Sequence, residues 1–203
     1  MTTALWFRAL AALGLYRRLA LFERPIDKAA DVALPEGLEG RPLVAADAGA
    51  YRALRPDQDP EQLAARLAAG HVCFGTWHAG ALVSIIWLAR GRYHVAYLKR
   101  DLALAPDEAF VYDLYTAPDV RHRGATIGGA LALRSYAERN GFARLLAAVL
   151  PENTAGLGPP RRFGYRPIGV LGFVGLGPWR RHFCRVGRGE RVPGSPGAPE
   201  PRP

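Results

Sequence analysis

The hydrophobic period of the chain changes abruptly between Ala109 and Asn140, and no other segment constrains the fold as much. Ala109–Thr116 (AFVYDLYT) is rich in aromatic and β-branched residues and reads as a strand, which Pro118 ends. From 126 to 140 the pattern is helical: Ile127, Ala130, Leu131 and Ala137 are expected to share one face, and Asn140-Gly141 is a stop signal. A strand that feeds a helix through a turn containing glycine aims several backbone N–H groups at one point, at the positive end of the helix dipole. That arrangement suits an anion such as a pyrophosphate. Gly124 lets the anion approach where a Cβ would obstruct it, and Arg121 and Arg123 add charge at the rim. Gly128-Gly129 should weaken the helix by about 1 kcal/mol each, which implies close contact with a ligand or with the sheet. The glycines fit neither the P-loop nor the G-x-G-x-x-G fingerprint.

The flanking segments supply a sheet and two more helices. Pro42–Ala46 reads as a short strand and Asp47–Leu54 as a helical turn. Asp59, Pro60 and Gln62 mark the start of the next helix, which Gly70 stops. His71–Trp77 and Ala81–Ala89 form a hairpin around His78-Ala79-Gly80, and Gly91–Leu104 adds more strand. Arg144–Leu150, Tyr165–Val174 and Trp179–Val186 complete the strands. Without regular βαβ alternation the class is α+β, a mixed sheet flanked by helices. The expected organisation is a helical arm over 1–24, a connector over 25–41, the main domain over 42–186, and a disordered Pro/Gly/Arg tail over 187–203.

Charge is unevenly placed. Residues 161–203 carry nine arginines against two glutamates and so hold seven of the nine net positive charges. No docking motif or aromatic-interleaved basic stripe accompanies them, so nucleic acid is not an expected partner. Two distant cysteines, Cys73 and Cys184, fit neither a metal site nor a disulfide framework, and a reducing cytoplasm is the default. The first 22 residues lack the basic n-region of a signal peptide, and three arginines interrupt them as a membrane span. They read as a helix ending near Arg24-Pro25, packed on the domain or on a second copy in a homodimer. The other reading is peripheral contact with a membrane through 4–22, with Trp6, Phe7 and Phe22 inserted.

Over about Pro42–Val174 the sequence resembles the GNAT superfamily of acyl-CoA N-acyltransferases. Arg121-His122-Arg123-Gly124-Ala125-Thr126 matches the Arg and first Gly of its R/Q-x-x-G-x-G/A signature, with Thr126 replacing the final small residue. Asn153 followed by Phe163-Gly164-Tyr165 matches its second block. The resemblance implies a sheet that splits between two parallel strands, here Ala109–Thr116 and Arg144–Leu150. It further implies pantetheine pairing with the backbone of Leu114, Tyr115 and Thr116, and pyrophosphate held by N–H groups of His122, Arg123, Gly124, Ala125, Thr126 and Ile127. Asn153 would contact the cofactor arm, although it also reads as a capping residue.

The implied activity is direct transfer of an acyl group, acetyl first among the candidates, from acyl-CoA to a primary amine, with acetyl-CoA as cosubstrate and no metal. The amine-bearing acceptor is not specified by the sequence. Where many relatives carry a Tyr that protonates the leaving thiolate, this chain has Pro160, beside Pro159. The alternatives are a CoA-binding module without catalysis, or a membrane or assembly role for the N-terminal segment. Asp113, mid-strand, is the candidate base that accepts the amine proton; equally it is a structural hydrogen-bond acceptor. Tyr112 and Tyr115 offer hydroxyls nearby, and His71, His78 and His94 have no assigned place.

Overall fold

The computed structural model describes residues 13–26, 33–59, 61–121, 124–153, 158 and 163–195. The chain divides into two compact units: Pro25–Gly91 with Pro106–Leu145, and Met1–Arg24 with Arg92–Ala105 and Leu146–Pro203. The class is α+β, with eight strands in a mixed, mostly antiparallel main sheet.

The first unit holds β2 (Leu38–Pro42), α1 (Ala48–Leu54), α2 (Gln62–Ala68), β3 (Val72–His78), β4 (Ala81–Arg90), β7 (Glu108–Thr116) and α3 (Ile127–Arg139). Its strands run in the order β7-β4-β3-β2, each antiparallel to the next. Ala79 and Gly80 both take positive φ in the two-residue turn between β3 and β4, which matches the strand twist. Side-chain alternation then gives the sheet two buried faces. Cys73, Ile85 and Trp87 pack with Leu43, just after β2, and with Tyr51, Leu54 and Leu63 of the α1–α2 segment. On the other face Phe74 meets Tyr136 of α3 edge-on, and Thr76 Oγ1 accepts a hydrogen bond from the Gly129 N–H at 2.8 Å.

The glycine pair in α3 therefore serves the sheet. A Cβ on Gly40 of β2 would stand 2.0 Å from the Gly128 carbonyl oxygen, and one on Gly129 3.2 Å from the Phe74 carbonyl oxygen. This close seating rotates the buried stripe of α3 to Gly128, Gly129, Leu133 and Ala137, whereas Ile127, Ala130 and Leu131 remain half-exposed. Backbone proximity, not side-chain volume, decides which face is inside.

The second unit contains β1 (Tyr16–Pro25), β5 (Arg92–Val95), β6 (Arg100–Ala103), β9 (Arg166–Val174) and β10 (Arg181–Val186). Most of β8 (Arg144–Val149) belongs to it too, and the strand order is β10-β9-β1-β8. β5 and β6 form a separate hairpin.

Two sequence expectations are corrected in this unit. Tyr16–Pro25 is not the end of a helical arm but a strand paired antiparallel with β9, Tyr16 opposite Val174 and Glu23 opposite Arg166. A bulge between Leu21 and Phe22 buries both side chains, so Phe22, only 2% exposed, takes no part in membrane contact. Residues 4–12 of the expected arm lie outside the described residues. The connector is likewise shortened by β2.

The expected disordered tail begins as an ordered segment. The Gly187 N–H bonds to the Ile168 carbonyl, and Glu190 pairs with Arg166 at 2.5 Å, an arginine that also engages the buried Glu23. Deleting residues 188–203 is accordingly expected to lower the thermal midpoint by roughly 2–4 °C, the effect of losing about 1 kcal/mol from a domain of this size. Differential scanning calorimetry of the truncated chain checks this, and an unchanged midpoint would show that the 188–195 contacts contribute nothing.

Candidate active site

Strand β7 is irregular where the resemblance places the chemistry. Its pairing with β4 slips between Tyr115 opposite Ile85 and Tyr112 opposite Trp87, so Asp113 and Leu114 face the single residue Ile86. This is a β-bulge, and Asp113 sits in it at φ +47°. Outside glycine that conformation is uncommon; Asp and Asn adopt it more readily than other residues. Leu114 is exposed.

The α1–α2 segment reaches over to the bulge. Arg55 Nη1 lies 3.0 Å from Asp113 Oδ1, and Arg66 Nη1 lies 2.5 Å from Asp113 Oδ2. Both carboxylate oxygens are thus engaged by guanidinium groups. Burial works against the Arg55 charge, but the hydrogen bonds it donates to Asp57 and Asp113 outweigh it and raise its pKa above the ordinary value. Arg66 shifts the same way: burial opposes the charge and Asp113 overcomes it. With both oxygens held by guanidinium groups, the geometry suits the second reading of Asp113, an anchor for the bulge.

One residue before the bulge, the Tyr112 hydroxyl stands 2.5 Å from His71 Nδ1. Tyr112 stacks on Trp87, and the Arg66 guanidinium lies over both rings, 5.3 and 5.0 Å from their centroids. Burial, and then the Arg66 charge, hold the His71 pKa below its usual range. His71 is therefore neutral near pH 7 and able to accept a proton through Nδ1. Neither Arg55, Arg66 nor the pairing of His71 with Tyr112 was legible in the sequence. Arg66 and Asp113 are separated by 47 positions, and nothing local announces their contact.

At its far end β7 runs through Ala117 and a 3-10 turn (Pro118–Val120) to Arg121, whose Nε donates to the Thr116 carbonyl at 3.1 Å. Thr116 Oγ1 lies 3.0 Å from Ser84 Oγ, which donates to the Tyr115 carbonyl. Gly124 has φ +76°, where an L side chain is strained. Ala125 is buried, and Thr126 precedes α3 without a side-chain cap. The Ile127 N–H bonds to the Gly124 carbonyl, which removes it from the expected set of anion ligands. His122 and Arg123 lie outside the described residues, as does Pro160. Asn153 belongs to the other unit, where its N–H bonds to the Leu150 carbonyl in the turn after β8. His78 ends β3 opposite Ala81, and His94 of the other unit pairs with Asp101 in the β5–β6 hairpin.

Beside the bulge a groove of about 610 Å³ is lined by Ala50, Leu54 and Pro56 on one wall and Leu82, Tyr115 and Pro118 on the other. The Arg55 guanidinium lies 4.4 Å from the centre of the Tyr115 ring at this groove. Among the described residues no group of three or more His, Cys, Asp or Glu side chains could hold a metal, and no helix is long and apolar enough to cross a membrane.

No family model and no curated protein matches the sequence. Solved structures do match the fold. A protein from Novosphingobium aromaticivorans assigned to the GNAT family aligns with a TM-score of 0.53 at 17% identity, over 77% of this chain and 63% of its own. A GCN5-related N-acetyltransferase from Kribbella flavida gives 0.52 at 19%, over 84% and 63%. A conserved protein of unknown function from Staphylococcus epidermidis gives 0.55 at 10%, over 83% and 65%. The chain spans a little under two thirds of each of these structures. At such identities the likeness establishes the fold, which is that of the GNAT acyltransferases.

Proposed function

We propose that the protein is an acyl-CoA-dependent N-acyltransferase that moves an acyl group, acetyl in the simplest case, directly to a primary amine. One observation carries this reading: a bulged strand leads, through a positive-φ glycine, into the N-terminus of a 13-residue helix. The backbone of Gly124, Ala125 and Thr126, with Arg121 beside it, would hold the CoA pyrophosphate, and the backbone at Leu114–Thr116 would take the pantetheine arm. Asn153 is proposed to contact that arm. The acceptor would lie in the groove of Ala50, Leu54 and Tyr115, with its nitrogen toward Tyr112.

Direct transfer requires the amine to lose a proton as it attacks the thioester carbon and the C–S bond breaks. In the proposed step the amine N–H proton passes to the Tyr112 oxygen while the Tyr112 hydroxyl proton passes to His71 Nδ1. The thiolate leaves, taking its proton from solvent. Asp113 fixes the bulge through Arg55 and Arg66. A second reading, a CoA-binding module without turnover, is favoured by the complete engagement of the Asp113 carboxylate.

Thermal shift and turnover test these readings together. CoA at a hundred times its dissociation constant is expected to stabilise the chain by about 2.7 kcal/mol, several degrees in midpoint. Gly124→Asp should abolish this shift, because it puts a strained side chain and a negative charge against the phosphates. Thiol release from acetyl-CoA with a panel of amines then separates an enzyme from a binding module. No shift with the wild type, or a normal shift with Gly124→Asp, defeats the pyrophosphate assignment.

A further inference from the structure

In the second unit the chain exposes large apolar side chains at one end. Trp179 is 84% exposed, Leu13 68%, Leu176 61% and Val174 49%. They converge because the β9–β10 hairpin turns over Leu176–Trp179 beside the start of β1. Val174 lies opposite both Tyr16 and Arg181, and the Gly175 N–H bonds to the Leu15 carbonyl. The turn itself is tight, since a Cβ on Gly175 would stand 2.4 Å from the Trp179 carbonyl oxygen.

The strand segments that meet at this end carry charge of one sign. Residues 13–22 and 163–189 contain seven arginines (Arg17, Arg18, Arg166, Arg180, Arg181, Arg185, Arg188) and no carboxylate. The nearest acidic residues of these strands, Glu23 and Glu190, are at the opposite end, both bound to Arg166. Arg18 and Arg181 are exposed beside the apolar tip, whereas Arg17 is occupied by the Tyr97 carbonyl and ring.

We infer that this end of the unit docks on an anionic bilayer surface. Trp179, Leu176 and Leu13 would lodge at the level of the headgroups, and Arg18 and Arg181 would meet acidic lipids. An indole at a hairpin tip suits the membrane interface, where an apolar ring and a polar N–H are both satisfied. Each arginine near such a surface contributes on the order of 1 kcal/mol, roughly a fivefold gain in partitioning. A self-association surface is disfavoured by the same charges, because a twofold contact would press the arginines of two copies together. A nucleic-acid surface leaves Leu13 and Leu176 without a partner.

Vesicle flotation of the full chain tests the inference, with phosphatidylcholine vesicles prepared with and without phosphatidylserine. The wild type is expected to float with the anionic vesicles and not with the neutral ones. The double variant Trp179→Ser, Leu176→Ser should stay at the bottom of the gradient. Arg18→Gln with Arg181→Gln should weaken flotation by about 25-fold if the two contributions add. Both variants should keep the circular dichroism spectrum and melting midpoint of the wild type, which separates a lost surface from a lost fold without reference to CoA. Failure of the wild type to float, equal flotation with neutral vesicles, or wild-type flotation of the Trp179/Leu176 variant overturns the proposal. So does a concentration-dependent dimer in gel filtration that the same variant abolishes, which would assign the tip to self-association.

Discussion

Gly40→Ala is expected to cost about 3 kcal/mol or more of stability and to lower the melting midpoint by roughly 10 °C, beyond the usual range for an overpacked core. The added methyl would stand 2.0, 2.4 and 2.8 Å from O, C and Cα of Gly128. All three are backbone atoms, so no side-chain rotation relieves the clash and α3 must move off β2. The shift would also displace the turn at Gly124–Thr126, so the variant should lose the melting shift with CoA as well. Gly49→Ala is the matching control. Gly49 lies inside α1 with nothing within 4 Å of its ideal Cβ, and the substitution should be neutral or stabilising by up to about 1 kcal/mol. Urea denaturation of both variants measures the difference. A Gly40→Ala variant within 1 kcal/mol of the wild type would mean that helix and strand do not approach this closely.

The same contact shows what the sequence could and could not convey. Two glycines in succession inside a helix are locally unfavourable, which signals that something comes close; that the neighbour is β2 depends on Gly40, almost ninety residues earlier. The junction from β7 through Gly124 to α3 was legible because strand period, proline, glycine and helix period all fall within one continuous segment. The start of α2 was legible in part: Asp59 Oδ1 accepts the Glu61 N–H, but the helix begins only at Gln62, and its N-cap residue Glu61 makes no side-chain cap. β1 was not. Its run of Leu19, Leu21 and Phe22 with two arginines satisfies helix and strand patterns alike, and the decision is made by β9, about 150 residues downstream. The tail misled for a related reason: its composition has almost nothing to bury, yet Glu190 finds an arginine on β9 and one ion pair helps order the turn.

The bulge in β7 is a subtler case. Asp113 drew notice as a carboxylate beside the expected split, and its position is indeed unusual. What makes it unusual is the left-handed backbone, which the sequence AFVYDLYT gives no reason to expect at that residue. The register slip is a property of β4 and β7 together. It places Tyr112, and not Asp113, against His71.

The largest kinetic effect should follow from that difference. Tyr112→Phe is expected to lower kcat/KM by about 10²-fold or more, within the range of general acid–base contributions, and to leave CoA binding unchanged. His71→Gln should lower it comparably, because a glutamine amide cannot take up the Tyr112 proton. The wild-type rate should fall as pH drops through the His71 pKa, which burial and Arg66 hold below the usual histidine value. Stability carries the same signature. A neutral, half-buried histidine of this kind contributes fully above its unfolded pKa of about 6.5, and the contribution is lost as pH falls toward the lower folded value. His71→Gln should therefore flatten the acid limb of the stability profile. Asp113→Asn discriminates between two roles. If Asp113 takes the amine proton, the loss must shrink at high pH, where the amine is already neutral. If it anchors the bulge, the loss persists at every pH. Arg66, left without its partner, should then lower the His71 pKa further, which the imidazole resonances in an NMR titration would report. Steady-state rates from about pH 6 to 10, read beside that titration, decide the assignment. A Tyr112→Phe enzyme with the wild-type rate and profile would remove the pair from the reaction.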